Sequence, residues 1–317
     1  MKEITKSLRV LLMTALVLVM SATCVFAAST GTDWENSVIR AEGTGVPPAT
    51  AYNSVQARMM ARRAAIVDAY RQLAEQIKGV NVDASTTVEN MMVTNDTVTT
   101  RVSALVQGAR IVDEKVLSEG GYTVTLEVPV FGVSGSLASV VLPQQETKTS
   151  FPEPVSGVTP SVPSTSGTYG SYDSGSYSSG SYQTPAATLP GYHSDRTSSA
   201  ASTPAGTAIG GYTGLIVDCR GLDLNPVMSP VIQNAEGTPI YGYKNLDSAT
   251  VIQNGMAAYT TDINRASRAG SNPLVVRAIR VTNHNAYPVL STADANRVLI
   301  ENGATGFLDA TNVVFVR

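Results

Sequence analysis

The tract from Pro143 to Gly211 does most to limit what this chain can fold into. It is dominated by Ser, Gly, Thr, Pro and Tyr, holds almost no Leu, Ile or Val, and carries few, scattered charges. Such a stretch cannot bury enough apolar surface to offset the entropy of ordering its own backbone. A disordered linker over 143–211 is therefore expected, with the folded mass divided between 33–142 and 212–317. A Gly/Ser coil of ~70 residues has a root-mean-square span of roughly 45 Å, enough for the two pieces to engage separate partners. Within it Gly170-Ser171-Tyr172, Gly175-Ser176-Tyr177 and Gly180-Ser181-Tyr182 recur every five residues. One aromatic per unit fits a weak multivalent contact with glycan or with other copies of the chain. The plainer reading is a tether on which Tyr172, Tyr177 and Tyr182 are incidental, like the solvated His193.

The amino terminus reads as an export signal over residues 1–27. Lys2, Lys6 and Arg9 form a basic region, Val10 to Met20 is apolar except for Thr14, and Val25-Phe26-Ala27 offers a cleavage site before Ala28. The apolar run is too short, and wrongly flanked, for a spanning helix. No later stretch is long and apolar enough to predict a transmembrane helix in the mature chain. Cys24 is the acylation candidate. However, Ser21 stands where a lipoprotein signal carries a Leu-like residue, which favours a cysteine inside a cleaved signal. With Cys24 removed, Cys219 is the remaining cysteine and an internal disulfide is impossible. Cys219 lies in an apolar run and reads as a buried core residue. The formal net charge is −3 and no Lys/Arg stripe occurs, so nucleic acid and anionic lipid are poor partners.

Residues 33–142 read as an α+β domain in the order β-α-β-α-β-β, with helices on one face of a mostly antiparallel sheet. Val38 to Gly43 is a strand, ended by Gly43-Thr44-Gly45. A long helix follows over roughly Thr50 to Lys78, with an apolar stripe at Val55, Met59, Ile66, Tyr70, Leu73 and Ile77. Alanines beside the stripe (Ala57, Ala61, Ala64, Ala65, Ala69) would let the helix approach a sheet closely. Val80 to Val88 alternates as a β run, and a second helix is expected over Thr94 to Gln107. Arg110–Leu117 and Tyr122–Val130 flank Glu119-Gly120-Gly121 as a hairpin. Glu42 and Glu127 are placed on a solvated face.

The run from Ala61 to Val80 (ARRAAIVDAYRQLAEQIKGV) resembles the signature helix of the lipoprotein-20 family. Val106-Gln107-Gly108-Ala109 and Gly121 to Val128 (GYTVTLEV) fit the same pattern. That family is similar to the N-terminal domain of the flagellar assembly protein T. The resemblance implies a bacterial cell-envelope protein, periplasmic or outer-membrane associated, with relatives that are flagellum-associated or form large homo-oligomers. It implies no enzymatic activity.

Residues 212–317 read as a second α+β domain. Thr213 to Asp218 is a buried strand, and Ser229–Asn234 and Pro239–Gly242 form a hairpin around Ala235-Glu236-Gly237. A helix is expected within Ser248–Ala269, carrying Val251, Ile252, Met256 and Tyr259. Leu274 to Val281 is the clearest strand. Ser291-Thr292-Ala293-Asp294 opens a last helix ended by Asn302-Gly303, and Val313 to Val316 is a central strand. Gly214-Leu215-Ile216-Val217-Asp218 with Arg220-Gly221-Leu222, Met228-Ser229-Pro230 and Asn312 to Val316 resembles a domain that often follows the first one and has no assigned chemistry.

Reactive centres fail on inventory, so no catalytic, cofactor or metal site is assigned. His284 is the one histidine of the two folded pieces, and it sits in a polar loop, Asn283-His284-Asn285. No nucleophile elbow, phosphate-binding glycine loop or usual zinc set is present. The best acid/base or cation-binding candidates are Asp218, Asp223 and Arg220 at a strand end. They read equally as loop charges that solubilise the strand terminus. Three classes compete: a self-associating or scaffolding envelope protein that binds itself or other envelope proteins; a module binding glycan (peptidoglycan) or peptide through the C-terminal domain; and an enzyme acting on envelope polymers through Asp218.

Overall fold

The computed structural model describes residues 30–162 and 206–317. The expected signal segment with Cys24, the repeat residues Tyr172, Tyr177 and Tyr182, and His193 lie outside those residues. Two compact units emerge, and they cut across the pieces expected from the sequence. One comprises Ile39–Gln76 and Val106–Val128 with the described residues up to Thr32; the other comprises Asp33–Val38, Ile77–Leu105 and Pro129–Arg317. Both mix helix and sheet, the α+β class expected.

The sheet of the first unit takes the order β1 (Gly31–Asp33), β2 (Val38–Gly45), β4 (Tyr122–Pro129), β3 (Arg110–Val116). β3 and β4 pair antiparallel, with a bulge at Val112, between Ile111 and Asp113. Their turn closes by Leu117 N–H donating to Gly121 O at 2.8 Å, with Gly120 left-handed at φ +79°. Helix α1 (Ser54–Lys78) begins at Ser54 rather than Thr50, because Asn53 Oδ1 accepts from Gln56 N–H at 2.8 Å and caps it there.

The expected apolar stripe of α1 holds at Leu73 and Ile77, which are fully buried, and is corrected at Val55 and Met59. Ala61, Ala65, Ala69 and Leu73 are fully buried, whereas Val55 and Met59 are 66% and 70% exposed. The reason lies in β2, which runs on through Gly43 and ends at Gly45. A Cβ on Gly43 would stand 2.1 Å from Ala69 N, and one on Gly45 would stand 2.0 Å from Ala61 O. Glycine on the strand and alanine on the helix bring the two backbones together, the close approach expected of those alanines, and Val55 and Met59 are turned outward. Glu127 is also corrected: it is not a solvated strand charge. Its side chain is 12% exposed and accepts from Arg40 Nε at 2.8 Å and Arg110 Nη2 at 3.2 Å.

In the second unit the expected β run at Val80–Val88 is a tight turn with one isolated bridge, Asn81 to Thr87. Asp83 Oδ1 accepts from Ser85 N–H and Thr86 N–H, a local competitor to strand pairing. The expected second helix is present as α3 (Asp96–Gln107), and a further helix that the β-run reading does not anticipate, α2 (Val88–Thr94), precedes it across extended Asn95, whose side chain caps α3. Asn81 O and Val82 O accept from Met228 N–H and Ser229 N–H, tying this stretch to the C-terminal region of the same unit. Helix α4 (Leu137–Val141) follows.

A parallel sheet takes the order β8 (Ala258–Thr260), β12 (Val313–Val316), β5 (Gly214–Asp218), β9 (Pro273–Arg277). β12 and β5 are inner strands, buried along their whole length, which accounts for their unbroken apolar runs. A second sheet takes the order β10 (Arg280–Thr282), β11 (Tyr287–Val289), β6 (Ile232–Gln233), β7 (Pro239–Tyr241). The single strand expected at Leu274–Val281 is therefore divided. Ala278 N–H still bonds Asp218 O, but Ile279 N–H bonds Val289 O, so the chain crosses between sheets there.

Helix α5 (Ser248–Asn254) stops at Gly255, φ +76°, so Met256 and Tyr259 are not helical and Tyr259 lies in β8. Helix α6 (Thr292–Thr305) starts at the expected Ser291 cap. It runs past Asn302-Gly303 to left-handed Gly306, because Asn302 O accepts from Gly306 N–H and Asn302 Oδ1 from Leu308 N–H.

The linker expectation is corrected at both ends of the tract. Residues 155–161 and 207–210 are held on the second unit by buried polar side chains of α6, and residues 143–150 by bonds to Tyr243, Lys244 and Asn245. Asn296 Oδ1 accepts from Val155 N–H, and its amide donates to Val155 O and Val158 O. Arg297 donates to Ser161 O and Thr207 O, while Glu301 accepts from Ile209 N–H and Gly210 N–H at 2.8 Å each. Phe151 stacks parallel on buried Tyr241 with centroids 6.4 Å apart. Composition judged the tract by its own side chains, but its backbone is what α6 binds.

Candidate functional site

The carboxyl edge of a parallel sheet is where open α/β folds place ligands, and the sequence candidates lie there. β5 ends in Asp218, β9 in Arg277 and β8 in Thr260, and Arg317 follows β12. Asp218 is 7% exposed. Arg220 binds it as a fork, Nε to Oδ1 at 2.9 Å and Nη2 to Oδ2 at 2.7 Å, and the Arg220 amide adds a third bond at 3.1 Å. Burial opposes ionisation of Asp218, but the Arg220 bonds and the Arg277 charge outweigh it and hold the carboxyl below the usual aspartate range. A carboxylate so held cannot carry a proton near neutral pH, so it is poorly suited to acid catalysis.

Asp223 does not join this pair. It is exposed, with φ +52°. His284 lies in the exposed turn between β10 and β11, where Asn283, His284 and Asn285 all adopt positive φ. The His284 and Asn285 carbonyls accept from the side chain and amide of Asn225. Cys219 is fully buried, and burial followed by the Asp218 charge pushes its thiol up to about 12. Among the described residues, no three His, Cys, Asp or Glu side chains are grouped to hold a metal ion.

A second feature of the same unit carries no sequence signal. An open cleft of about 520 Å³ lies near the amino end of β12, lined by Asn36, Phe131, Gln253, Asn254, Arg268 and Asn312 among others. Arg268 donates to Thr311 O (2.8 Å), Thr311 Oγ1 (2.8 Å), Asn254 O (2.7 Å) and Gly255 O (2.6 Å). Those four acceptors are neutral, and two of them are carbonyls at the carboxyl end of α5, where a cation is favoured. Desolvation lowers the pKa of this guanidinium. The same bonds hold Thr311, fully buried, at φ +57°. Arg268 is isolated among Ser and Ala in the sequence, so nothing local marks it.

In the first unit the outward side of α1 leaves Val55, Met59, Met60 and Val67 in solvent. β3, the last strand of its sheet, exposes Ile111, Val112 and Val116, and Leu117 follows in the turn. Among the described residues no helix is long and apolar enough to cross a membrane.

No curated protein matches this chain. Residues 214–317, which carry the two sheets and α6, match the family model of the second domain of Treponema pallidum Tp0624. Residues 46–129, which carry α1 to α3 and the β3–β4 hairpin, match the family model of the LPP20 lipoprotein, so this stretch is an LPP20-like domain.

Proposed function

We propose that this is an exported cell-envelope protein that works by self-association and scaffolding rather than by catalysis. The observation that carries the reading is the apolar surface of the LPP20-like domain, where α1 and the edge strand β3 turn Val, Met, Ile and Leu side chains to solvent. Apolar groups gathered on an outer helix face and a sheet edge are features of surfaces that meet other proteins. The groups with reactive potential are committed elsewhere: Asp218 to its Arg220 fork and Cys219 to the core. Light scattering coupled to size-exclusion chromatography on the mature chain tests the reading. A mass above the monomer that rises with concentration is expected; a monomer at every concentration would refute it.

The Arg268 cleft favours a second reading, a module that binds an envelope glycan or peptide. Its amide side chains, one aromatic ring and a cation whose acceptors among the described residues are neutral suit a polar ligand bearing an anionic group. Co-sedimentation with purified peptidoglycan checks this. Binding lost in Gln253→Trp, which fills the cleft mouth, supports it, and unchanged binding by that variant counts against it.

A further inference from the structure

The edge strand β3 carries a sequence that is complementary to itself. Val112-Asp113-Glu114-Lys115-Val116 reads outward from Glu114 as one acid and one base, then one valine on each side. We infer that two copies of this chain join through β3, antiparallel about a two-fold axis at Glu114, so that their sheets become continuous. This rests on the self-association proposed above and names its surface.

Four observations support the register. First, β3 has a single strand neighbour, β4, and its residues are exposed apart from Asp113, which is half-buried. Its outer backbone groups therefore stand ready for another strand. Second, paired residues of antiparallel strands share a face, so a two-fold register must centre on a residue. Centring on Asp113 or on Lys115 sets like charges directly opposite each other, which is destabilising. Centring on Val112 sets Ile111 against Asp113, and centring on Val116 sets Lys115 against Leu117. Centring on Glu114 sets Asp113 against Lys115 and Val112 against Val116, each twice.

Third, the one like-charge contact in that register is already neutralised. Glu114 is gripped by Arg62 of α1, with Nε donating to Oε2 at 2.8 Å and Nη2 to the other oxygen. The axis would hold two carboxylates and two guanidiniums. Fourth, Lys115 and Asp113 already lie side by side at 2.7 Å within one copy. Both sit on the same face of the strand, ready to form a four-charge ring with the second copy. Charges and a bulge on an edge strand normally prevent pairing. Here the bulge at Val112 lies at the end of the five-residue segment, and the charges match when the strand meets itself.

The experiment is a charge reversal with its rescue, read by sedimentation equilibrium of the mature chain. Asp113→Lys places a second cation opposite Lys115 at both symmetry-related pairs and is expected to weaken association about tenfold or more. Asp113→Lys with Lys115→Asp restores opposite charges and is expected to recover the wild-type mass. Both positions lie on the strand's outer edge, and circular dichroism confirms folding of each variant. A second measurement fixes the register. Glu114→Cys is expected to cross-link to itself under mild oxidation, since residues paired across the axis lie within disulfide reach, whereas Lys115→Cys is not. If Asp113→Lys leaves the mass unchanged, or the double reversal fails to recover it, the β3 interface is wrong while self-association stands. A monomeric wild type removes both.

Discussion

Asp218 shows how one residue can look like chemistry in a sequence and prove to be architecture. Its folded pKa is depressed, so the stability it contributes is present above the ordinary aspartate value and is lost as pH falls through the folded value. The unfolded chain binds the proton more readily in that window, so unfolding stability should rise with pH below about 4. Asp218→Asn is expected to flatten this part of the stability–pH curve, measured by urea unfolding between about pH 2 and 5. An unchanged slope would mean that other carboxylates carry the acid sensitivity. Its neighbour Cys219 gives a simpler test. A fully buried thiol with its pKa pushed up to about 12 holds almost no thiolate at neutral pH. Alkylation by iodoacetamide should be negligible in the folded protein and complete in urea; fast labelling of the native chain would contradict the burial.

At the level of elements, the α1–β2 seam sets the strictest demand. Gly45→Ala would force its Cβ against Ala61 O, a backbone atom that cannot turn aside. Overpacking of this kind costs typically about 1–3 kcal/mol, and a backbone collision lies at the upper end. Thermal unfolding should show a large fall in Tm for Gly45→Ala and little change for Met59→Ala, which lies on the exposed side. This reverses the ranking that an apolar stripe through Met59 implies. Periodicity alone could not separate the two faces in the first half of α1, because the buried one is built there from alanine, which hydropathy barely distinguishes from solvent-facing residues, before Leu73 and Ile77 continue it. Elements were legible where a terminus is coded locally: the Ser291 cap of α6 and the apolar inner strands β5 and β12 stand where expected. They were misread where a side chain competes with the ladder, as Asp83 does, or where one apolar run serves two sheets, as Leu274–Val281 does. Gly255 was a readable stop for α5 that the apolar spacing of Met256 and Tyr259 overrode. The Arg268 cleft could not be read at all, since its walls come from residues as far apart as Asn36 and Asn312.

Across the whole molecule, distant stretches of sequence complete one unit, so the C-terminal piece is expected to be poorly stable by itself. Trp34 meets Tyr259 edge-on at 5.6 Å, an aromatic pair worth about 0.5–1.5 kcal/mol beyond its buried area. Asn81 and Val82 supply backbone acceptors to Met228 and Ser229. Val155 to Ser161 and Thr207 to Gly210 satisfy Asn296, Arg297 and Glu301, which are 1%, 6% and 0% exposed. Without these stretches the three side chains open to water, and each loses hydrogen bonds with a net worth of about 0.5–1.5 kcal/mol apiece. The Arg297–Glu301 pair at 2.9 Å would survive, but with its outer hydrogen bonds gone. The loss of several such bonds together with the Trp34–Tyr259 pair is a sizeable share of the roughly 5–15 kcal/mol that keeps a whole domain folded. A fragment of residues 212–317 is therefore expected to melt far below the mature chain, or not to fold, when followed by far-ultraviolet circular dichroism. A fragment of residues 129–317 restores the strap and should regain part of the difference, while the Trp34 and Asn81 contacts stay missing. Equal melting temperatures for 212–317 and the mature chain would mean that α6 tolerates its uncovered polar row and that the strap adds nothing to the fold.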